Sequence, residues 1–214
     1  MLGHSSIIAL EGLPVIGVFA AITAALWIAG WYKAAVIMTA LTVFALSFFR
    51  NPERHAPAGE NLVVSPADGT VIYVGEVDEP RILKGRAVKV SIFMSVFNVH
   101  VNRMPESGKI MEIHYNKGKF ISANKDKASL ENEQNALVME TDRGRKIMFV
   151  QIAGLVARRI VCWVKPGDHL RRGERFGLIM FGSRLDIYLP VGSEVKLKPG
   201  DKTKAGETIV GVLN

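Results

Sequence analysis

The sequence contains a single cysteine, Cys162, among 214 residues. One cysteine excludes an internal disulfide and a cluster of thiolate metal ligands. It stands in the apolar run Arg159–Val164, so we expect it to pack in the core and not to act as a reactive thiol. The five histidines show no H-x-H or H-E-x-x-H spacing, so the sequence predicts no metal site.

Acidic residues are fewer than basic ones, 20 against 27, which gives a formal net charge of +7. Such a balance suits an anionic partner, either nucleic acid or an anionic lipid surface. The basic residues are dispersed, and no nucleic-acid-binding signature accompanies them. We therefore expect an anionic lipid surface as a partner and no nucleic acid.

Charge is almost absent from the N-terminal part, where Leu13–Trp31 and Ala34–Phe49 are apolar runs. Each run is near the lower limit of the ~17–25 residues with which a helix crosses a bilayer. No basic segment precedes the first run, which argues against a cleaved signal peptide. We predict that residues 1–50 form a hydrophobic helical hairpin that spans the membrane or dips in from one face. A buried hairpin of a soluble protein is the alternative.

The turn between the two runs carries one basic residue, Lys33, within a group of aromatic residues typical of a membrane interface. These aromatic residues are Trp27, Trp31 and Tyr32. Arg50 and Arg54 follow the second run, so the positive-inside rule places the rest of the chain in the cytoplasm.

Long helical periodicity is lacking in residues 51–214, where short runs rich in Val and Ile alternate with Pro and Gly. This pattern predicts a mainly β domain, either a barrel or a sandwich. The polar stretch Asn124–Asn135 predicts a mobile loop or a short helix over the site. The predicted strands are Thr70–Gly75, Ala87–Phe93, Lys109–His114, Ala136–Thr141, Lys146–Ile152, Arg159–Val164, Arg175–Phe181, Leu185–Leu189 and Thr208–Leu213.

The pattern P-G-D-x4-G-E occurs twice, in Pro166–Glu174 and Pro199–Glu207, and Val64–Val71 is a looser relative. Two copies are too few for a solenoid. They fit a duplicated hybrid-type β motif of the kind found in biotinyl and lipoyl carrier domains and in some cell-wall peptidases. That likeness concerns the fold and carries no function.

Three stretches contain residues that could perform chemistry: Asp68 in S-P-A-D-G, His100 in Phe93–Pro105, and Ser183 in F-G-S-R. Alone, each has an ordinary explanation, respectively a turn, a core histidine and a bend between strands. Together they provide a carboxylate, an imidazole and a hydroxyl, the components of a proton relay. The G-x-S-x-G elbow of an α/β-hydrolase is missing.

In order and spacing, these stretches resemble the three signature segments of phosphatidylserine decarboxylase proenzymes, closest to the short bacterial and archaeal type. The likeness runs from about Asn51 to the C-terminus. It implies a precursor that cleaves itself between Gly182 and Ser183, giving a β chain (residues 1–182) and an α chain (residues 183–214) that stay associated.

The resemblance implies that Asp68 holds His100, which deprotonates the Ser183 hydroxyl for attack on the Gly182 carbonyl. The ester then eliminates to dehydroalanine, which hydrolyses to a covalent pyruvoyl group at Ser183. A pyruvoyl group forms a Schiff base with the substrate amine and serves as an electron sink, so neither PLP nor a metal is required. His100 is then the candidate that protonates the product carbanion.

The implied function is conversion of phosphatidylserine to phosphatidylethanolamine and CO2 by a membrane enzyme. A homo-oligomer of this chain is compatible with that function. Arg103 stands where long-type members carry a second histidine, so proton transfer rests on His100 alone or on an unassigned donor. The Arg103 guanidinium could instead hold the substrate phosphate or carboxylate. Arg184 replaces the threonine that follows the serine in long-type enzymes, which we interpret as a mark of subtype.

Three alternatives remain open. The same chemistry could act on archaetidylserine. A membrane-anchored carrier module would need a modified lysine at a hairpin tip, where Lys202 and Lys204 lack the usual flanking pattern. A serine hydrolase would use Asp68, His100 and an intact Ser183.

Overall fold

The computed structural model describes residues 6–118, 132–154, 159–180 and 183–214. The chain divides into two compact units, with the boundary between Glu53 and Arg54. Gly182 and most of the polar stretch predicted over the site lie outside the described residues.

The N-terminal unit contains two helices, α1 (Leu13–Ile28) and α2 (Tyr32–Phe48), joined by a turn in which Gly30 has a φ of 76°. No residue of α1 is buried, although nearly all of its side chains are apolar. A helix that is apolar on every side and exposed in its own unit needs an apolar surrounding. By length and composition, Leu10–Ile28 could cross a membrane, while α2 is a shorter apolar helix.

The two helices form the predicted hairpin, with polar contacts between them. The hydroxyls of Thr23 and Thr42 lie 3.0 Å apart, and the Trp27 indole donates to Thr39 Oγ1 at 3.2 Å. Hydroxyl contacts of this kind hold apolar helices together where no water is present. At the open end, the Ala9 N–H donates to the Phe49 carbonyl at 2.8 Å, so both chain ends of the hairpin are joined.

The second unit is a mainly β structure, as predicted. The strands of the described residues are β1 (Leu62–Val64), β2 (Gly69–Glu79), β3 (Gly85–Met94), β4 (Val101–Arg103), β5 (Gly108–Asn116), β6 (Gln134–Thr141), β7 (Lys146–Ala153), β8 (Ile160–Cys162), β9 (His169–Leu170), β10 (Arg175–Ile179), β11 (Ser183–Leu189), β12 (Glu194–Val195), β13 (Lys202–Thr203) and β14 (Ile209–Val212).

Within the described ranges, these strands form one large sheet of order β13-β2-β3-β11-β7-β6-β5-β9 and two small ones, β1-β14-β12 and β4-β10-β8. The described strands form no closed barrel, so the barrel alternative is wrong. The large sheet ends at β13 and β9, two-residue strands that pair with β2 and β5 and not with each other.

All nine predicted strands are present, most of them longer than predicted. The prediction for Asn124–Asn135 is wrong at its end, because Gln134 and Asn135 begin β6. These polar residues are strand residues because β5 and β7 pair with them on both sides. Gln134, for example, pairs with Asn116 of β5 and with Ile152 of β7. Such pairing overrides a low intrinsic strand propensity.

The two P-G-D-x4-G-E segments have the same structure. Asp168 and Asp201 each accept a hydrogen bond at 2.9 Å from the backbone N–H three residues earlier. Each segment then forms a two-residue strand, β9 or β13, that pairs with the start of a long strand. The copies meet at Gly173 and Gly206, where a Cβ on Gly206 would lie 3.5 Å from the Gly173 Cα. The described segments thus form the predicted duplicated motif.

Strand β11 lies inside the large sheet, between β3 and β7. Its residues alternate between two buried clusters: Leu185 and Ile187 belong to the main core, and Tyr188 to a smaller cluster on the opposite face. A strand buried on both faces is held by packing as well as by its backbone ladder. Ser183 is therefore the first residue of a strand that lies in the buried centre of the domain.

Candidate active site

The three predicted catalytic residues lie at one end of the large sheet. Ser183 begins β11 and pairs with Met94 at the end of β3 and with Ala153 at the end of β7. Asp68 immediately precedes β2, the other neighbour of β3, and His100 follows β3 after a short turn. Adjacent strands are about 4.8 Å apart, so this topology brings Asp68 and Ser183 to the same sheet end although they are 115 positions apart in the chain.

The Ser183 side chain is completely buried, and its hydroxyl donates to the Met94 sulfur at 3.4 Å. A thioether is a weak hydrogen-bond acceptor. The hydroxyl therefore gives up little when it turns from the sulfur to a stronger acceptor such as an imidazole nitrogen. This arrangement keeps the hydroxyl away from water without fixing its proton to a strong partner.

His100 is buried, with its Nδ1 atom 3.0 Å from the Asn98 carbonyl oxygen. The Asn98 side chain holds this turn, since its Oδ1 accepts from the Ser95 N–H at 2.9 Å and from the Ser95 hydroxyl at 2.8 Å. A proton on Nδ1 that is donated to the carbonyl makes Nε2 the basic nitrogen of a neutral imidazole. The turn thus orients the His100 imidazole through a backbone carbonyl, and its use as a general base stays a prediction.

The Asp68 carboxylate is bound by Arg54, whose Nη1 and Nη2 lie 2.5 and 2.9 Å from its two oxygens. The Ala205 N–H also donates to Asp68 Oδ1, at 2.8 Å. Burial lowers the pKa of Arg54, but the hydrogen bond and charge of Asp68 outweigh burial and raise it overall. The contact between Asp68 and His100 that the resemblance implies stays a prediction.

Asp68 accepts a hydrogen bond from the duplicated motif and also carries a negative charge, and a comparison of the two motif copies distinguishes these features. In the copy Pro166–Glu174, the Arg172 N–H donates to the Ser107 hydroxyl at 3.0 Å, as the equivalent Ala205 N–H of the copy Pro199–Glu207 donates to Asp68. A neutral hydroxyl therefore suffices to bind the turn. The negative charge of Asp68 and its Arg54 partner are particular to the copy that leads towards the site.

Arg103 is buried, and its Nη1 donates to the Gly173 carbonyl at 2.9 Å. A Cβ on Gly206 would lie 2.9 Å from Arg103 Cδ, so the side chain passes the point where the two motif copies meet. This geometry gives Arg103 a task in joining the copies. Its suggested role in binding the headgroup stays a prediction.

Sequence reasoning missed several residues of this region. Asn98 and Asn102 lie inside the recognised stretch Phe93–Pro105, yet nothing in the local pattern shows that their amides are used. For Arg54, the sequence indicated a role in membrane topology and no contact with Asp68. Gln151 lies in a strand of apolar residues, where an isolated buried amide is a signal that deserved a functional interpretation.

Cys162 is half-buried against the main core, as its apolar run predicted. Burial raises the pKa of its thiol, which keeps it protonated and unreactive at neutral pH. Among the described residues, no group of three or more His, Cys, Asp or Glu side chains could hold a metal ion.

Comparison with known proteins shows the family of this chain. The family model described as phosphatidylserine decarboxylase matches residues 41–211. The chain belongs to that family. A phosphatidylserine decarboxylase proenzyme of Geobacter sp. (strain M21) is 55% identical over 212 residues, which cover 96% of each chain.

Two further relatives extend the match to the whole chain. The phosphatidylserine decarboxylase proenzyme of Syntrophus aciditrophicus is 52% identical and is aligned over 98% of this chain and 99% of its own. That of Geobacter sulfurreducens is 50% identical, with all of both chains aligned. The similarity therefore includes the apolar N-terminal unit as well as the β unit.

Proposed function

We propose that this protein decarboxylates phosphatidylserine to phosphatidylethanolamine, using a pyruvoyl group that it makes from Ser183. The observation that carries the proposal is the completely buried Ser183 hydroxyl at the sheet end where His100 and Asp68 also lie. Membership of a decarboxylase family whose relatives are named proenzymes supports both the reaction and the processing.

Processing begins at the Gly182–Ser183 bond. The Ser183 oxygen bonds to the Gly182 carbonyl carbon while its proton passes to His100, and the C–N bond breaks as the nitrogen takes a proton. Loss of the Ser183 Cα proton then expels the Gly182 carboxylate, which keeps the former serine oxygen. Water replaces the nitrogen of the remaining dehydroalanine, ammonia leaves, and the former Cβ becomes a methyl group.

The surroundings of Ser183 fit a pyruvoyl group made in place. The group supplies an electron sink for the carbanion that remains when an amino acid loses CO2. The Met94 thioether suits a methyl group as a contact, and the buried position shields the reacting atoms from bulk water. His100, oriented by the Asn98 carbonyl, is the residue that returns a proton to the product.

The apolar N-terminal unit places the enzyme at its lipid substrate. The positive-inside rule puts Arg50 and Arg54 on the cytoplasmic side, so the β unit works in the cytoplasm. The net charge of +7 favours an anionic lipid surface over a neutral one. Phosphatidylserine is favoured over archaetidylserine as substrate because the relatives carry its name.

The first test compares the purified wild-type protein with Ser183→Ala. Wild type should give two chains on a denaturing gel, and intact mass should show the α chain lighter by one ammonia than a chain beginning with serine. Ser183→Ala should remain one chain and be inactive, because it has no hydroxyl to attack Gly182. Ser193→Ala is the matched control and should be processed normally, since its hydroxyl donates to the Pro190 carbonyl in a turn.

An uncut wild-type chain that still decarboxylates phosphatidylserine would rule out the pyruvoyl mechanism. An intact chain labelled at Ser183 by a fluorophosphonate would favour the serine hydrolase instead. A biotinyl or lipoyl adduct on an intact chain would favour the carrier module. Vesicles containing either phosphatidylserine or archaetidylserine distinguish the two lipid substrates.

A further inference from the structure

A chain of buried amides leads to the atom that Ser183 contacts. Asn135 Nδ2 donates to Gln151 Oε1 at 3.0 Å, and Gln151 Nε2 donates to Asn102 Oδ1 at 2.9 Å. Asn102 Nδ2 then donates to the Met94 sulfur at 3.8 Å, the same sulfur that accepts from the Ser183 hydroxyl. We call Asn135, Gln151 and Asn102 the amide relay.

The relay has a single direction. In each step a side-chain N–H donates to the carbonyl oxygen of the next amide, and the last N–H points at Met94. Reversing the relay would turn the Asn102 oxygen towards the sulfur, which has no hydrogen to donate. The hydrogen bonding therefore fixes the orientation of the amides and delivers a donor to Met94.

Such a relay is unusual inside an apolar core, because buried amides destabilise a protein unless their hydrogen bonds are made. All three relay residues are buried, at 0 to 2% exposure, and Met94 belongs to the main core. A fully bonded buried network makes its surroundings rigid. Methionine is the most adaptable apolar side chain, so the N–H of Asn102 serves to hold its sulfur in one place.

We propose that Asn102 is a positioning residue for self-cleavage, acting on the Ser183 hydroxyl through the Met94 sulfur. The relay holds the sulfur, and the sulfur holds the hydroxyl in one rotamer until His100 accepts its proton. The inference rests on the proposed function, since it assumes that Ser183 is the nucleophile. It assigns to the relay a task that none of the three sequence signatures indicated.

The relay should act mainly on the precursor. The Ser183 hydroxyl exists only before cleavage, because its oxygen leaves with the Gly182 carboxylate. The methyl group that replaces it cannot donate to the sulfur. Loss of the relay should therefore slow self-cleavage by a larger factor than it slows turnover of the processed enzyme.

The test measures both rates in the full-length protein for Asn102→Leu, which keeps the number of side-chain heavy atoms, and for Met94→Leu, which keeps nearly the same side-chain volume. We expect the cleavage half-time, followed on denaturing gels, to lengthen about tenfold in each, because small misplacements of a nucleophile are costly. The kcat of fully processed enzyme should fall by a smaller factor. Met139→Leu is the control: it is the same change in the same core, at the far end of the sheet, and should cleave normally.

The outcomes separate the inference from the proposed function. If wild type itself is never cut, the proposed function fails. If wild type is cut and Asn102→Leu is cut equally fast, the inference is overturned while the proposed function stands. Equal losses of cleavage, kcat and melting temperature would also overturn it, since they indicate general destabilisation. If Asn102→Leu does not fold, Gln151→Met is judged by the same criteria.

Discussion

At the scale of single residues, Asp68 combines a structural and a chemical feature. Its hydrogen bond from Ala205 has a counterpart at Ser107, so that bond belongs to the duplicated motif. Its negative charge has no such counterpart at Ser107. Arg54 neutralises this charge in a bidentate ion pair, in which both side chains are almost buried. The predicted acid of the catalytic residues, Asp68, is thus also a member of a structural ion pair, and a substitution at Asp68 alone would break that pair.

A substitution at Arg54 tests the structural part separately. Arg54→Met leaves the buried Asp68 charge without its partner, and loss of one member of a buried pair costs about 3 kcal/mol in the free energy of unfolding. Urea denaturation of the full chain in detergent measures this loss. Arg86→Met is the control, because its pair with Glu76 is exposed and should contribute less than about 1 kcal/mol.

The double variant Arg54→Met, Asp68→Asn completes this cycle. Removing both charges should restore part of the lost stability, since the unpaired carboxylate is gone. A loss at Arg54→Met no larger than that at Arg86→Met would contradict the assignment of Arg54 as the main partner of Asp68.

At the scale of elements, the proposed cut lies at the start of a strand that has a partner strand on both sides. Strand β11 pairs along its whole length with β3 and over six residues with β7. On the face of the smaller buried cluster, Asp186 binds Arg184 at 2.9 Å and Lys89 at 3.1 Å. The proposed α chain also supplies β12, β13 and β14, so its strands belong to two sheets.

We therefore expect the two chains to stay together after cleavage. In size-exclusion chromatography at about 1 M salt, where exposed charges are screened within about 3 Å, both chains should elute in one peak. Apolar burial and backbone ladders do not depend on such screening. Only denaturant should separate them. Elution of the α chain by itself at high salt would show that charge pairs alone hold it.

At the scale of the whole molecule, an apolar unit of two helices accompanies a β unit with an ordinary buried core. Many exposed side chains of α1 and α2 are large and apolar, and Val18 is one of them at 56% exposure. On a soluble protein such a position would accept a charge. In a bilayer an aspartate at a helix centre costs about 2.5–3.5 kcal/mol.

Val18→Asp distinguishes these surroundings. We expect the wild-type protein to stay in the membrane pellet after an alkaline carbonate wash, and Val18→Asp to be partly released. Val191→Asp is the control, because Val191 is similarly exposed, at 51%, in a loop of the β unit and should leave the protein in the pellet. Equal retention of both variants would argue against insertion of α1.

Much of this protein could be predicted from local patterns. The two apolar runs predicted the helices, and the alternation of Val and Ile runs with turns predicted nine strands. The missed strands are short, such as Leu62–Val64 and Val101–Arg103, and exist only because a partner strand pairs with them. The recognised stretches predicted the family, and the roles that they assign to site residues stay predictions.

The sequence by itself determined which residues could do chemistry, because side-chain type and turn signals are local properties. The tertiary structure alone decided which of them meet. Met94 and Ser183 are 89 positions apart, and Asn102 and Gln151 are 49 apart. Their contacts depend on strand register, and a slip of one residue would turn every side chain to the other face. Register is a property of the assembled sheet, which no local pattern contains.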